Sequence, residues 1–277
     1  MVIGAGQMGA GIAEVFAAKQ HPVLLHDQKE AFAQAGVDGI EKRLQRLVEK
    51  GYKEQEEVAS TLSFLTPTAD IKRVSEADVV IEAATENVAI KKAIFKELDQ
   101  FAKKDAILAT NTSSLPITDL ASVTTRPEQV IGMHFMNPVP RMRLVEIIRG
   151  LATRDEVFQE IETLTQQLDK VPVCSEDFPG FVSNRILMPM INEAIFTLYE
   201  GVASAEDIDT VMKLGMNHPM GPLTLADFIG LDTCLSIMNV LHDGFGDDKY
   251  RPCPLLKKYV QAGWLGKKSG RGFFHYE

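Results

Sequence analysis

A glycine-rich loop opens the chain and constrains its fold more than any other feature of the sequence. The first residues read MVIGAGQMGAGIAEVF, in which Gly4, Gly6 and Gly9 form the pattern G-x-G-x-x-G. Such a loop needs a tight turn, close backbone approach to a pyrophosphate and tight helix–sheet packing, with a strand before it and a helix after it. We interpret Val2 and Ile3 as part of a central parallel strand with a short start, a shortening that should affect stability more than cofactor contacts.

The first half of the chain alternates between short β-rich runs and helical patterns. The runs are rich in Val, Ile and Leu, and they cover residues 23–27, 77–84, 106–111, 130–135, 144–150 and 170–176. Between several of them the apolar residues recur at helical spacing, as in residues 88–102. This alternation predicts an α/β fold with a Rossmann-like, doubly wound and mostly parallel sheet.

After about residue 178 the pattern becomes helical. We predict helices from Pro179 to near Gly201, from a cap at Ser204 to Leu214, over residues 222–242 and over residues 253–263. Only the final residues GFFHY have a strand pattern. We therefore predict a Rossmann-like domain over residues 1–177 and a smaller all-helical domain over residues 178–277.

Composition excludes several classes of function. The 277 residues carry a net charge of −9, which argues against a nucleic-acid partner. The three cysteines, Cys174, Cys234 and Cys253, show no C-x-x-C spacing and argue against a disulfide framework or a zinc site. No apolar run approaches the ~18 residues that span a bilayer, and no secretory signal pattern is present. We expect a cytoplasmic protein with no metal and no membrane partner.

An acidic residue ends the second β-rich run, where a dinucleotide-binding unit requires one. Asp27 follows Gly9 by eighteen positions, and its carboxylate can accept both ribose hydroxyls of the cofactor. This arrangement favours NAD over NADP, although Lys29 leaves some tolerance of NADP open. The alternative is a structural glycine turn with a solvated aspartate.

Glu86 and Lys91 follow the run over residues 77–84, at the edge of a parallel sheet that binds ligands. They can contact the cofactor there. Alternatively, Glu86 complements the dipole of the next helix and Lys91 is solvated. Position alone does not separate these interpretations.

Four polar stretches supply candidate catalytic residues. Glu146 lies inside an apolar run, where an unpaired charge would be costly, and a pair with His134 would satisfy it and orient the imidazole as a base. Removal of a hydride from an alcohol leaves a proton to be taken up, and histidine suits that step. Ser113 and Asn184 can donate hydrogen bonds to the substrate oxygen.

Structural interpretations of the same residues stay open from spacing alone. The histidine can be a satisfied group at a strand end, and the asparagine can be an exposed helix residue. Glu146 can pair with Arg141 or Arg143 instead. The serines can simply cap a helix, with Ser114 as the N-cap and Pro116 in the first turn.

Six longer motifs resemble one family along essentially the whole chain. They read GAGQMGAGIA, NTSSLPIT, GMHFMNPVP, LVEIIRG, FPGFVSNRILMPMINEA and GMNHPMGPLTLADFIGLD, and GKKSGRGFFHY resembles the family at the end. The chain is similar to the L-3-hydroxyacyl-CoA dehydrogenases, nearest to the bacterial 3-hydroxybutyryl-CoA dehydrogenases. The resemblance implies an NAD-binding domain, a helical domain for substrate binding and dimerisation, and a role in fatty acid metabolism.

The resemblance also implies an activity and site residues. The reaction would interconvert an (S)-3-hydroxyacyl-CoA and a 3-oxoacyl-CoA in a homodimer. The catalytic residues would be His134, Glu146, Ser113 and Asn184. The cofactor-binding residues would be Gly4, Gly6, Gln7, Met8, Gly9, Asp27, Glu86, Lys91, Asn111, Asn137 and Lys268. Ser113, Asn184 and Lys50 would contact the acyl-CoA substrate, with Lys50 at the CoA phosphates.

Two other functions remain alternatives to an acyl-CoA dehydrogenase. One is a related dehydrogenase that acts on a free hydroxy acid or sugar acid. The other is a non-catalytic, crystallin-like or cofactor-sensing protein that keeps the fold. Loss of the His134–Glu146 pair would mark the second alternative, and both residues are present.

Overall fold

The computed structural model describes residues 1–276 and divides the chain into two compact units. The first unit is Met1–Phe178, and the second begins at Pro179. Buried apolar side chains form a separate core in each unit.

The first unit is built on an eight-stranded sheet in the order β3-β2-β1-β4-β5-β6-β7-β8. The strands are β1 (Val2–Ile3), β2 (Val23–His26), β3 (Leu65–Thr68), β4 (Val79–Glu82), β5 (Ile107–Thr110), β6 (Val130–Phe135), β7 (Leu144–Arg149) and β8 (Val171–Glu176). Strands β1 to β6 are parallel to one another, β7 is antiparallel to β6, and β8 is parallel to β7. The predicted Rossmann-like, mostly parallel sheet is confirmed.

Helices connect these strands and make up the second unit. Those of the first unit are α1 (Gln7–Ala18), α2 (Glu30–Glu49), α3 (Gln55–Ser63), α4 (Val88–Phe101), α5 (Ile117–Ala121) and α6 (Asp155–Gln167). Those of the second unit are α7 (Ser183–Tyr199), α8 (Ala205–Gly215), α9 (Pro222–Ile229), α10 (Leu231–Phe245) and α11 (Pro254–Gln261). As predicted, the Ser204 side chain caps α8 by accepting from the Asp207 amide.

Strand β1 occupies the centre of the sheet although it is only two residues long. Val2 and Ile3 pair in parallel with β2 on one side and with β4 on the other. Both side chains are buried, as expected of a strand covered by helices on both faces. The strand order reverses direction at β1, so the crevice for a ligand opens between the loops after β1 and β4.

Two sequence predictions for individual elements are wrong, and one strand has no counterpart among the predictions. Strand β3 was not predicted, because LTPT contains Pro67 and too few apolar residues, and an edge strand tolerates both. The predicted strand in GFFHY forms only isolated bridges, such as Arg271–His275. Helix α7 begins at Ser183 rather than Pro179, because Gly180 and Phe181 have the positive φ angles of a turn.

The predicted single helix over residues 222–242 is two helices. Gly230 has φ +102°, which an α-helix does not permit, and α9 and α10 meet there at 98°. Among the described residues, no single helix is long and apolar enough to cross a membrane. Helices α9 and α10 pass the same test only when they are counted together, and the test considers nothing beyond length and composition. Leu231, Cys234 and Leu241 of this pair are buried in the core of the second unit.

Candidate active site

The glycine loop combines tight packing with one open position. Gly4 has φ +97°, and a Cβ there would lie 2.8 Å from the Ala83 carbonyl oxygen. A Cβ on Gly9 would lie 1.7 Å from the Gly4 carbonyl oxygen, so α1 packs directly on the turn. At Gly6, by contrast, nothing lies within 4 Å of the Cβ position. The loop therefore leaves room for a ligand at the middle glycine only.

The N-terminus of α1 carries no competing negative charge. In the described part of the chain, no side chain caps this helix, and its first turn contains no acidic residue. The exposed amide groups and the positive end of the helix dipole can therefore bind an anion. With the space at Gly6, these features fit the pyrophosphate of a dinucleotide.

Asp27 links the end of β2 to the glycine loop. Its Oδ2 accepts a hydrogen bond from the Ala5 amide at 2.9 Å, and its Oδ1 accepts one from the Gln28 amide at 2.8 Å. A carboxylate has further acceptor positions for ribose hydroxyls. Nearby Lys29 lies over the Phe32 ring, 5.4 Å from its centroid.

His26 lies directly before Asp27 and is almost completely buried, with 8% of its surface exposed. Burial lowers the pKa of its imidazole, and this effect outweighs the nearby carboxylates of Asp27, Asp70 and Glu97, which act in the opposite direction. The end of β2 thus combines a buried imidazole of lowered pKa with a carboxylate.

Glu86 accepts several hydrogen bonds from the polar turn that follows β5. It lies one residue before Asn87, whose side chain caps α4. Its Oε1 accepts hydrogen bonds from the Thr112 hydroxyl at 2.7 Å, from the Ser113 amide at 2.8 Å and from the Ser113 hydroxyl at 3.0 Å. The Ser114 hydroxyl lies 3.4 Å from the same oxygen. Glu86 therefore holds both the amide and the hydroxyl of Ser113 by hydrogen bonds.

Lys91 is buried beneath Glu86, with 2% of its side chain exposed. Its ammonium lies 2.6 Å from Glu82 Oε2 and 3.6 Å from Glu86 Oε2. The solvated lysine considered as an alternative is therefore wrong. The structure places Lys91 between two carboxylates, behind the carboxyl edge of the sheet.

His134 and Glu146 form a buried pair between β6 and β7. The two residues are directly opposite each other in the antiparallel register, and Nδ1 of the imidazole lies 2.8 Å from Glu146 Oε2. Their side chains are 9% and 1% exposed. The alternative partners, Arg141 and Arg143, lie on the surface.

Two asparagines lie where β5 and β6 end. The Asn111 side chain accepts a hydrogen bond from the Phe135 amide at 2.8 Å and so ties the ends of the two strands together. Asn137 lies on the surface after β6, where its Oδ1 accepts from Gln7 Nε2 at 3.2 Å. This contact joins the turn after β6 to the first turn of α1.

The ammonium of Lys170 holds the turn after Asn137 in place. It donates to the carbonyl oxygens of Val139 and Met142 at 2.6 and 2.7 Å. Burial lowers the pKa of Lys170, and the nearby carboxylates of Asp169 and Glu14 act in the opposite direction.

Three other predicted site residues lie apart from this edge of the sheet or in the second unit. Lys50 is exposed at the C-terminus of α2. Asn184 is in the first turn of α7 and is 7% exposed, so the alternative of an exposed helix residue is wrong. Lys268 forms an ion pair with Asp232, Nζ to Oδ2 at 2.7 Å.

The serines do not cap the helix after the NTSS motif. The carboxylate of Asp177 takes this place, accepting from the Ile117 amide at 2.9 Å and the Thr118 amide at 2.7 Å. The expectation that Ser114 caps α5 is therefore wrong. A cap sixty positions along the chain has no local sequence signature.

Sequence reasoning missed Glu82 and Thr110 as members of the site. Glu82 is an acid within the apolar run VVIEAA, which is the same signal that identified Glu146. An ionised group in such a run needs a partner, and Lys91 lies nine residues further on. Applied consistently, the criterion would have found this residue.

Comparison with known proteins identifies the same two parts of the chain. Residues 1–178 match the family described as "3-hydroxyacyl-CoA dehydrogenase, NAD binding domain", and residues 180–276 match "3-hydroxyacyl-CoA dehydrogenase, C-terminal domain". Both family domains are therefore present, one after the other along the chain.

Individual relatives match over nearly their full lengths. A probable 3-hydroxybutyryl-CoA dehydrogenase of Bacillus subtilis is 59% identical over 100% of this chain and 96% of its own length. The human mitochondrial hydroxyacyl-coenzyme A dehydrogenase is 44% identical over 100% of this chain and 90% of its own. The crystal structure of (S)-3-hydroxybutyryl-CoA dehydrogenase PaaH1 from Ralstonia eutropha superimposes with a TM-score of 0.97 at 48% identity, covering 100% of this chain and 98% of that one.

Proposed function

The chain belongs to the 3-hydroxyacyl-CoA dehydrogenase family of NAD-dependent oxidoreductases, and from that premise we propose that it interconverts (S)-3-hydroxybutyryl-CoA and acetoacetyl-CoA. The observation that carries the proposal is the buried His134–Glu146 pair at the carboxyl edge of the sheet. The names of its similar bacterial relatives support the four-carbon substrate.

The proposed NAD site is the edge of the sheet around the glycine loop. The N-terminus of α1 would hold the pyrophosphate, and Asp27 would accept the ribose hydroxyls. NAD supplies the hydride acceptor for oxidation of the alcohol. Asn111 and Asn137 would line the nicotinamide and substrate region. Gln7 and Met8 would contact the cofactor from the glycine loop, and Lys268 would contact it from the C-terminal segment.

His134 would exchange the proton of the 3-hydroxyl group. Donation of Nδ1–H to Glu146 selects the tautomer in which Nε2 carries the basic lone pair. When Nε2 takes up the proton, the ring becomes positive and the Glu146 carboxylate stabilises it. In the reverse direction the protonated ring returns the proton to the ketone oxygen.

Ser113 and Asn184 would hold the reacting oxygen by hydrogen bonds. Glu86 places the Ser113 hydroxyl within the polar turn after β5. Hydrogen-bond donors at the point where charge develops lower the barrier most when they are already in position. Lys50 would contact the CoA phosphates.

We infer a homodimer formed through the second unit and a cytoplasmic location. Ile186, Val211 and Leu214 of α7 and α8 are apolar and 68%, 58% and 82% exposed, which supports association of that unit with another surface. Cys174, Cys234 and Cys253 are free thiols, which supports a reducing compartment.

Oxidation of NADH, followed by its absorbance, tests the proposed function. We expect turnover with acetoacetyl-CoA and little or none with free acetoacetate or a keto sugar acid at the same concentration. Higher kcat/KM with a free acid would instead identify the related class of free-acid dehydrogenase. A series of 3-oxoacyl-CoA substrates of increasing length then measures the chain-length preference.

A further inference from the structure

A completely buried carboxylate lies behind the proposed active site. Glu82, the last residue of β4, is 0% exposed. Its Oε1 accepts a hydrogen bond from the Ala84 amide at 2.8 Å. Its Oε2 accepts from the Lys91 ammonium at 2.6 Å and from the Thr110 hydroxyl at 2.8 Å. Each oxygen thus has a partner, and the three donors come from three different segments.

Lys91 connects this carboxylate to a second one. Its ammonium is held between Glu82 at 2.6 Å and Glu86 at 3.6 Å. The shorter contact is with the fully buried residue, whereas the Glu86 side chain is 42% exposed. One positive charge therefore lies between two negative charges, anchored on its buried side.

Glu86 transmits this arrangement to the turn after β5. One of its oxygens faces Lys91, and the other accepts from the Thr112 hydroxyl and from both the amide and the hydroxyl of Ser113. The two oxygens of a carboxylate are held at a fixed separation, so a rotation of the group that moves one oxygen also moves the other. The ammonium therefore influences the oxygen that holds the Ser113 hydroxyl.

We propose that Glu82 is a positioning residue of the dehydrogenase: through Lys91 it holds Glu86 in the orientation that places the Ser113 hydroxyl for the substrate oxygen. The proposal rests on the proposed function of Ser113. Lys91 acts in this arrangement from behind Glu86, since only 2% of its side chain is exposed.

The charge of Glu82 is what the arrangement requires. A glutamine has nearly the same shape, but it attracts an ammonium much less strongly, and its one acceptor oxygen can replace only one of the two carboxylate oxygens. The Lys91 ammonium would then move towards Glu86, because Glu86 would be the remaining negatively charged partner of the two. Glu86 would turn to meet it and weaken its contacts with Ser113.

The first experiment compares wild type with Glu82→Gln. We expect kcat for reduction of acetoacetyl-CoA to fall about tenfold, because a catalytic group displaced by a fraction of an ångström loses much of its effect. An unchanged kcat would overturn the proposal.

A double-mutant cycle with Glu86→Gln tests whether Glu82 acts through Glu86. If it does, Glu82→Gln should have little further effect on kcat in the Glu86→Gln background. Multiplying effects in the double variant would contradict the proposal, since they would mean that Glu82 acts independently of Glu86.

Asp99→Asn is the matched control for loss of a poorly exposed charge. Asp99 pairs with Arg126 at 2.7 Å elsewhere in the same unit, and their side chains are 10% and 12% exposed. This variant should lower the melting temperature and leave kcat unchanged. If it lowered kcat as much as Glu82→Gln does, a merely structural role for Glu82 would be the better explanation.

A second variant covers the case in which Glu82→Gln does not fold. Glu82→Gln combined with Lys91→Met removes both charges, which avoids an unpaired buried ammonium. We expect it to fold and to show the same fall in kcat. Full activity of this variant would overturn the proposal.

A crystal structure of Glu82→Gln, or of the double variant with Lys91→Met if only that one folds, tests the positioning role of Glu82 independently of which substrate the enzyme accepts. We expect the Ser113 hydroxyl to lose its contact with Glu86, whatever substrate the enzyme accepts. An unchanged contact would overturn the positioning role, even if acetoacetyl-CoA proves to be the substrate. A lost contact in a protein inactive on acyl-CoA would overturn only the proposed function.

Discussion

His134 and Glu146 depend on each other in a way that follows from the register of β6 and β7. Each residue is directly opposite the other, and each lies among apolar neighbours. Without the imidazole, the carboxylate would lose this hydrogen bond in a position that is 1% exposed. The same contact that satisfies the charge also orients the ring, so one hydrogen bond serves both stability and the proposed chemistry.

The substitution His134→Ala tests the proposed base. We expect kcat to fall by roughly 10²-fold or more, because proton transfer to a positioned side chain contributes about that much. The measurement is NADH oxidation with acetoacetyl-CoA, with the circular dichroism spectrum as a control for folding. Wild-type turnover in a folded variant would remove His134 from this role.

Asp27 should determine which dinucleotide is used. Its carboxylate favours free ribose hydroxyls and repels a 2′-phosphate, so we expect kcat/KM to be higher with NADH than with NADPH. In Asp27→Asn the repulsion is lost and the preference for NADH should shrink. A wild-type enzyme that prefers NADPH would contradict this assignment.

His26 should make stability depend on pH. Burial lowers its pKa in the fold, so the unfolded chain binds more protons below the ordinary value of 6.5. The free energy of unfolding should therefore rise with pH through the interval below 6.5, and acid should destabilise the protein there. We expect a shallower slope in His26→Leu, measured by urea denaturation across this interval. Equal slopes in the two proteins would show that another group is responsible.

The loop between β1 and α1 shows how an element depends on single atoms. A Cβ on Gly9 would meet the Gly4 carbonyl oxygen at 1.7 Å, and a Cβ on Gly4 would meet the Ala83 carbonyl oxygen at 2.8 Å. Only glycine lets α1 lie this close to β1 and β4. The position of the helix N-terminus, and with it the proposed pyrophosphate site, therefore depends on the absence of a Cβ atom at Gly4 and at Gly9.

The substitution Gly9→Ala should displace α1 and destabilise the first unit. We expect a loss of about 2 kcal/mol or more in the free energy of unfolding, as in other overpacked positions, together with weaker NADH binding. The matched control is Gly39→Ala in α2, where nothing lies within 4 Å of the Cβ position. That variant should be more stable by up to about 1 kcal/mol, because alanine favours a helix. A Gly9→Ala variant as stable as wild type would contradict this account.

At the scale of the molecule, the sheet gathers residues that are far apart in the chain. The glycine loop, Asp27, Glu86, Asn111 and the turn after β6 follow β1, β2, β4, β5 and β6, which are mutually parallel. Their carboxyl ends therefore share one edge. The antiparallel strand β7 then places Glu146 directly opposite His134 of β6.

The proposed homodimer is the prediction that belongs to this scale. We expect light scattering at micromolar concentration to give a mass twice that of the chain, because exposed apolar side chains of α7 and α8 favour association. Saturating NADH should leave the mass unchanged. A monomer at that concentration would contradict the dimer.

The sequence by itself determined the fold class, the elements with strong periodicity and the family. The glycine spacing and the alternation of apolar runs are local properties, so β1, β2, β4 to β8 and most helices could be predicted from short windows. The edge strand β3 and the break at Gly230 could not, because each depends on what surrounds it.

Only the tertiary structure decided which charges pair with which. Glu82 and Glu146 have the same appearance in the sequence, as single acids in apolar runs, yet one pairs with a lysine nine positions later and the other with a histidine on the next strand. Likewise, Asp177 rather than a nearby serine caps α5. The physical reason is that a buried charge must find a partner, and strand order and register determine which residues come within hydrogen-bonding distance.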